Sequence, residues 1–169
     1  MKEAAHRRFA LAVVANLDDA LRALRQLVHN ELEPQAISIV GREASFTHGR
    51  ERSAELSAIV NGKSRSLDFQ TGQDRIVALA CGPVLPKSIS QDASAFEGLL
   101  GRWLFPTHAK RLAQAVAGGE FLLLVQLDGL VEERLATRTL LRSCRGSVEV
   151  HDFDLADSIE QFCLCSQKT

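Results

Sequence analysis

Cys163 and Cys165 stand two residues apart, and paired thiols at that spacing can chelate a soft metal ion. A structural zinc site takes four ligands, and His151, Asp152 and Asp154 are the neighbours that could complete a set. Cys81 and Cys144 read instead as core positions, at the ends of a strand and a helix. No Cys-x-x-Cys pair is present, so thioredoxin-type redox chemistry is not expected. Small apolar side chains in a docked tail are the simpler reading of Cys163 and Cys165. The expectation is no metal and no cofactor. His151, Asp152, Cys163 and Cys165 are the candidates if a ligand or ion is held.

Histidines are the other source of chemistry. His151 follows Val150 near the end of a strand pattern, which points it to solvent or to a neighbouring subunit. To act as a general base it needs a pocket and a partner acid, and Asp152 or Asp154 stands nearest in sequence. His48 and His108 fall in loop or cap contexts. Ser45, Ser53 and Ser57 lack the flanking glycines of a nucleophile elbow. No catalytic residue is assigned. Trp103, Leu104 and Phe105, preceded by Leu99 and Leu100, form the densest large-apolar cluster outside the strands. They either cap the core or anchor a partner, and they are the candidate contacts of an oligomer.

The elements that must position these residues repeat. Phe9–Ala15, an amphipathic stretch to Leu32 and Gln35–Val40 read as strand, helix, strand. Phe121–Leu127, a helical stretch to Cys144 and Ser147–Phe153 read the same way. Asn16 is the expected N-cap of the first helix, with Asp18 and Asp19 near the positive end of its dipole. Pro34 is expected to end that helix. Between the units, Arg42–Arg52 is polar and turn-prone, and Ser53–Val60 fits a short helix or a strand. Asn61-Gly62 signals a two-residue hairpin joining Ala58–Val60 to Lys63–Phe69. Arg75–Cys81 reads as a strand and Ile89–Leu104 as a helix. A second helix opens at Pro106, buries Ala109, Leu112, Ala113 and Val116, and stops at Gly118-Gly119.

The 169 residues suit one α+β domain, with repeat units at about 8–41 and 120–153 and an insert at about 42–118. The sandwich expected from two such units is ferredoxin-like, with the repeats interleaved in one sheet. Both first strands should lie at its centre, and both repeat helices on one face. A flavodoxin-like parallel sheet is the alternative, but neither Asn16-Leu-Asp-Asp nor Asp128-Gly-Leu-Val-Glu offers a glycine-rich phosphate cradle.

Net charge is −1, so no global basic field attracts nucleic acid. The longest apolar run, Phe9–Ala15, is far short of the ~20 residues of a membrane helix. The start of the chain has no apolar segment of the signal-peptide kind, so a cytoplasmic location with reduced thiols is expected. Aliphatic side chains on the second sheet face must meet the insert, another subunit, or both, and a homo-oligomer is the expectation.

Phe9–Val40 resembles the opening of the general-stress-protein or heat-induced-stress-protein domain. There an apolar strand, a short acidic turn, an alanine- and leucine-rich helix and an "ISIV" strand follow one another. Thr107–Val150 is similar to its close, with the "FLLLVQL" and "SVEVHDF" strands. The resemblance covers about half the chain. It implies a ferredoxin-like fold and a stress-related role, and it carries no catalytic residue. The middle of this chain is more polar than the glycine-rich apolar insert of that family.

The leading functional expectation is a non-enzymatic, self-associating α+β protein of stress-related or regulatory role. One alternative is a small-molecule-sensing regulatory domain. The other is an enzyme of the dimeric α–β barrel type, with His151 or His108 as proton carrier.

Overall fold

Two strands that are apolar on both faces lie side by side at the centre of a six-stranded sheet. They are β1 (His6–Val14) and β5 (Phe121–Leu127), antiparallel from Arg8 opposite Leu127 to Val14 opposite Phe121. The computed structural model describes residues 6–60, 63–71, 74–80, 94–102, 104–144 and 146–154. The remaining strands are β2 (Ile37–Arg42), β3 (Lys63–Thr71), β4 (Asp74–Ala80) and β6 (Val148–Asp154). The order is β3-β4-β2-β5-β1-β6, with every pairing antiparallel. The chain is therefore an α+β protein. The two repeat units interleave: β2 of the first pairs with β5 of the second, and β6 of the second pairs with β1 of the first.

The helices α1 (Leu17–His29) and α6 (Leu130–Ser143) pack on the same face, as expected. Small residues let them approach closely. Ala10 and Ala12 of β1 meet Ala20 and Ala23 of α1 and Ala136 of α6, all essentially solvent-free. The Asn16 side chain caps α1, accepting from the Asp19 backbone N–H at 2.9 Å. Pro34 does not end this helix. Asn30 is its cap, and Glu31 turns the chain with φ of 65° while the Leu32 N–H bonds the Leu27 carbonyl. Pro34 instead opens a short 3-10 turn, Pro34–Ala36, leading into β2.

The insert supplies helices to both faces. On the face of α1 and α6, α2 (Glu43–Thr47) and α3 (Arg50–Val60) contribute Phe46, Leu56 and Val60. The stretch left open as helix or strand is thus helical. Asn61-Gly62 lies outside the described residues, and Ala58–Val60 before it ends α3 rather than forming a strand. The hairpin is β3–β4, closed between Thr71 and Asp74.

The opposite face is covered by α4 (Ser94–Leu100) and α5 (Pro106–Ala117). Phe96, Leu100, Leu104, Ala109, Leu112 and Val116 close over Phe9, Leu11, Val40, Leu122 and Leu124. The expectation of a second subunit rested on this face, and its large side chains are buried within the single chain. Leu104, a candidate oligomer contact, is one of these core residues at 4% exposure. Phe105 is exposed, and Trp103 lies outside the described residues. Helix α5 stops as expected, with Gly119 at φ of 96°.

Candidate functional site

The site sits where α5 crosses the edge strand β6. Alternation along β6 sends Val148 and Val150 toward the α1–α6 face and Glu149 and His151 toward the α5 face. Glu149 stands opposite Leu11, and His151 opposite Phe9, whose side chains belong to the core under α5. On α5, His108 and Arg111 are three residues apart and share one side of the helix. That side faces Glu149.

The Glu149 carboxylate gathers the group. Its Oε2 accepts from His108 Nδ1 at 3.0 Å and from His151 Nε2 at 3.2 Å. Its Oε1 pairs with the Arg111 guanidinium, which also donates to Ser147 Oγ at 3.1 Å. The Glu149 side chain is 13% exposed, that of His151 21% and that of His108 43%, so the cluster opens outward along His108. The two imidazoles meet edge to face at 6.4 Å, and exposed Phe105 stands edge-on to His108 at 6.2 Å. Burial pushes the His151 pKa below the usual imidazole value, the nearby His108 pushes it the same way, and the charge of Asp152 opposes them in part. A neutral His151 keeps a ring lone pair for a proton or an ion.

The structure brings together two histidines that lie 43 positions apart in sequence, His108 and His151. It separates His151 from Asp152. The Asp152 carboxylate faces the other side of the strand and forms a two-pronged ion pair with Arg8, at 2.8 and 3.1 Å. Arg8 also reaches Glu133 of α6 at 3.0 Å, and the two carboxylates hold its guanidinium protonated more firmly than usual. The carboxylate hydrogen-bonded to the His151 ring is that of Glu149, while Asp152 acts on it through its charge. Cys163, Cys165 and Cys81 lie outside the described residues. Cys144 is a free thiol at the end of α6, half-buried, and burial pushes its pKa up to about 11. His48 is exposed and bonds the Ala44 carbonyl within its own turn.

Glu149 and Arg111 escaped the sequence reading. The signal for Glu149 is present in Val148-Glu-Val-His151, because a period of two places it, and not Asp152, beside His151. Arg111 carries no such signal.

A second surface feature lies on α6. Leu130, Val131, Leu135 and Leu141 are exposed, and a shallow open groove runs past Arg134, Arg138 and Arg142. No helix among the described residues is long and apolar enough to cross a membrane. No protein-family profile matches the chain, and no curated protein or solved structure is similar to it at a significant level.

Proposed function

We propose that this chain is a non-enzymatic regulatory α+β protein of ferredoxin-like type, which binds a small ligand at the seam between α5 and β6. The observation that carries the reading is the meeting of His108, Glu149 and His151 at that seam. The three side chains bond one another, and His108, 43% exposed, leaves them reachable from solvent. The seam joins the insert to the repeat core, so occupancy there changes how firmly α5 holds β6. That is the lever of a regulatory domain. The stress-related role and the cytoplasmic location belong to the same proposal, and a free Cys144 thiol suits a reducing compartment.

Self-association is retained as part of the reading, with a different contact. The aliphatic side chains of α6 replace the buried sheet face as the apolar surface a second copy would cover.

A second reading is favoured by the same two histidines. His151 and His108 share one carboxylate oxygen, which is the geometry of a proton carrier. Against it, the Glu149 carboxylate already accepts from three donors and is engaged in holding the two rings in place.

A thermal-shift screen of the full chain against metabolites decides. A compound that raises the melting temperature of the wild type, but not of Glu149→Gln, supports binding at the seam. Turnover of that compound promotes the enzyme. A shift that survives Glu149→Gln places the ligand elsewhere and rejects the seam.

A further inference from the structure

We infer that His108, Glu149 and His151 form a binding site for a divalent transition-metal ion of the zinc and cobalt class. This rests on the reading of the α5–β6 seam as the ligand site and names the ligand. Of the ligand candidates named from the sequence, His151 alone belongs to this set.

The argument is geometric. One ligand atom from each residue, His108 Nδ1, His151 Nε2 and a Glu149 oxygen, lies within 4.8 Å of the others. Two edges of that triangle are 3.0 and 3.2 Å. A tetrahedral ion with bonds of about 2.0–2.2 Å keeps its ligand atoms about 3.3–3.6 Å apart. Small outward movements of the three side chains therefore make room for the ion. The rings already point the required nitrogens at the required oxygen.

The chemistry fits as well. Two imidazoles and one carboxylate suit zinc, cobalt, nickel or copper, whereas magnesium and calcium want oxygen donors. Binding breaks two N–H···O bonds and forms two N–metal bonds and one O–metal bond. In each neutral ring the proton passes to the other nitrogen, Nε2 in His108 and Nδ1 in His151. Arg111 keeps Oε1 and leaves Oε2 toward the ion, the orienting role that outer partners play at metal sites. The fourth position opens outward beside His108 and Phe105, so a water or small anion can complete the shell.

The test is titration of the full chain with Co²⁺ alone, and with Zn²⁺ in competition. It is run in a Cys163→Ser Cys165→Ser background, so that tail thiols do not contribute. The expected result is one Co²⁺ per chain at micromolar affinity, with the visible bands of a low-coordinate ion, displaced by Zn²⁺. His108→Asn, Glu149→Gln and His151→Asn should each weaken binding by at least about tenfold. Circular dichroism checks that each variant is folded. Should one unfold, the wild type still answers, because Co²⁺ must broaden the ring signals of His108 and His151 before those of His29 or His48. Saturable binding unchanged in a His108→Asn His151→Asn variant overturns the site, as does the absence of binding at millimolar metal. A metabolite shift that needs Glu149, together with no metal binding, rejects the ion while sparing the seam as a ligand site.

Discussion

Asn30 Nδ2 donates to Thr139 Oγ1 at 2.9 Å, and this bond ties the end of the first repeat helix to the second. Thr139 is buried, and Ser143, one turn further along α6, bonds the Thr139 carbonyl and approaches Gln26 of α1. The helices of the two units thus meet through a short polar seam within an otherwise aliphatic layer.

Thr139→Val keeps the shape and removes the acceptor. It leaves the Asn30 amide without that partner, and a cost of about 1 kcal/mol is expected. For a chain of this size the melting temperature should fall by about 3 °C. Urea unfolding checks it. An unchanged midpoint would mean that water satisfies Asn30 equally well.

Glu31 holds the left-handed conformation that glycine adopts without steric cost. Relief of that strain exceeds the extra chain entropy glycine brings to the unfolded state. Glu31→Gly should stabilise the protein by roughly 0.5–1 kcal/mol, and Glu31→Ala should not. Equal effects of the two substitutions in chemical denaturation would locate the cause in the lost carboxylate instead.

Gly41 has no room for a side chain. A Cβ there would stand 2.7 Å from Phe121 Cδ1 and 3.2 Å from Phe46 Cε2, two rings packed edge to face at 5.0 Å. Gly41→Ala should destabilise by about 1–3 kcal/mol through overpacking. Adding Phe121→Leu should recover part of the loss. Two losses that simply add would show that the ring is not the obstacle.

Cys144 has a thiol raised from 9.0 to about 11, by burial first and then by the charge of Asp19. The folded state resists losing this proton more than the unfolded chain does. The resulting stability is fully present below pH 9.0 and is lost as pH rises through about 11. At pH 8 the peptide containing Cys144 should alkylate far more slowly in folded than in unfolded protein, as read by mass spectrometry. Equal rates would contradict the shift.

The exposed aliphatic residues of α6 make the oligomer testable. Light scattering at micromolar concentration should give a multiple of 18.5 kDa, and Leu135→Asp Leu141→Asp should reduce it to the single-chain mass. A single-chain mass for the wild type rejects self-association. A variant that stays folded and oligomeric rejects only the α6 contact.

The chain order of elements was legible in the sequence because its signals are local. Alternation, helical spacing, the Asn16 cap and the Gly118-Gly119 stop each act within a few residues. The apolar character of both faces of Phe9–Val14 and Phe121–Leu127 also placed those strands at the sheet centre. Where two local signals competed, tertiary pairing decided. Ala58–Val60 was expected to pair with Lys63–Phe69, yet it is helical, and Lys63–Thr71 pairs with Asp74–Ala80. The candidate site was only half legible. His151 and His108 were singled out separately, but their meeting depends on where α5 crosses the sheet, which no spacing records. Asp152 stood next to His151 in sequence and proved to lie on the opposite face, bound to Arg8. Glu149, two residues away, is the true neighbour, because the pleat separates adjacent residues and unites alternate ones. Local chemistry thus determined the strands and helices of this protein. The assembly of His108, Arg111, Glu149 and His151 was decided by long-range packing of the insert against the edge of the repeat sheet.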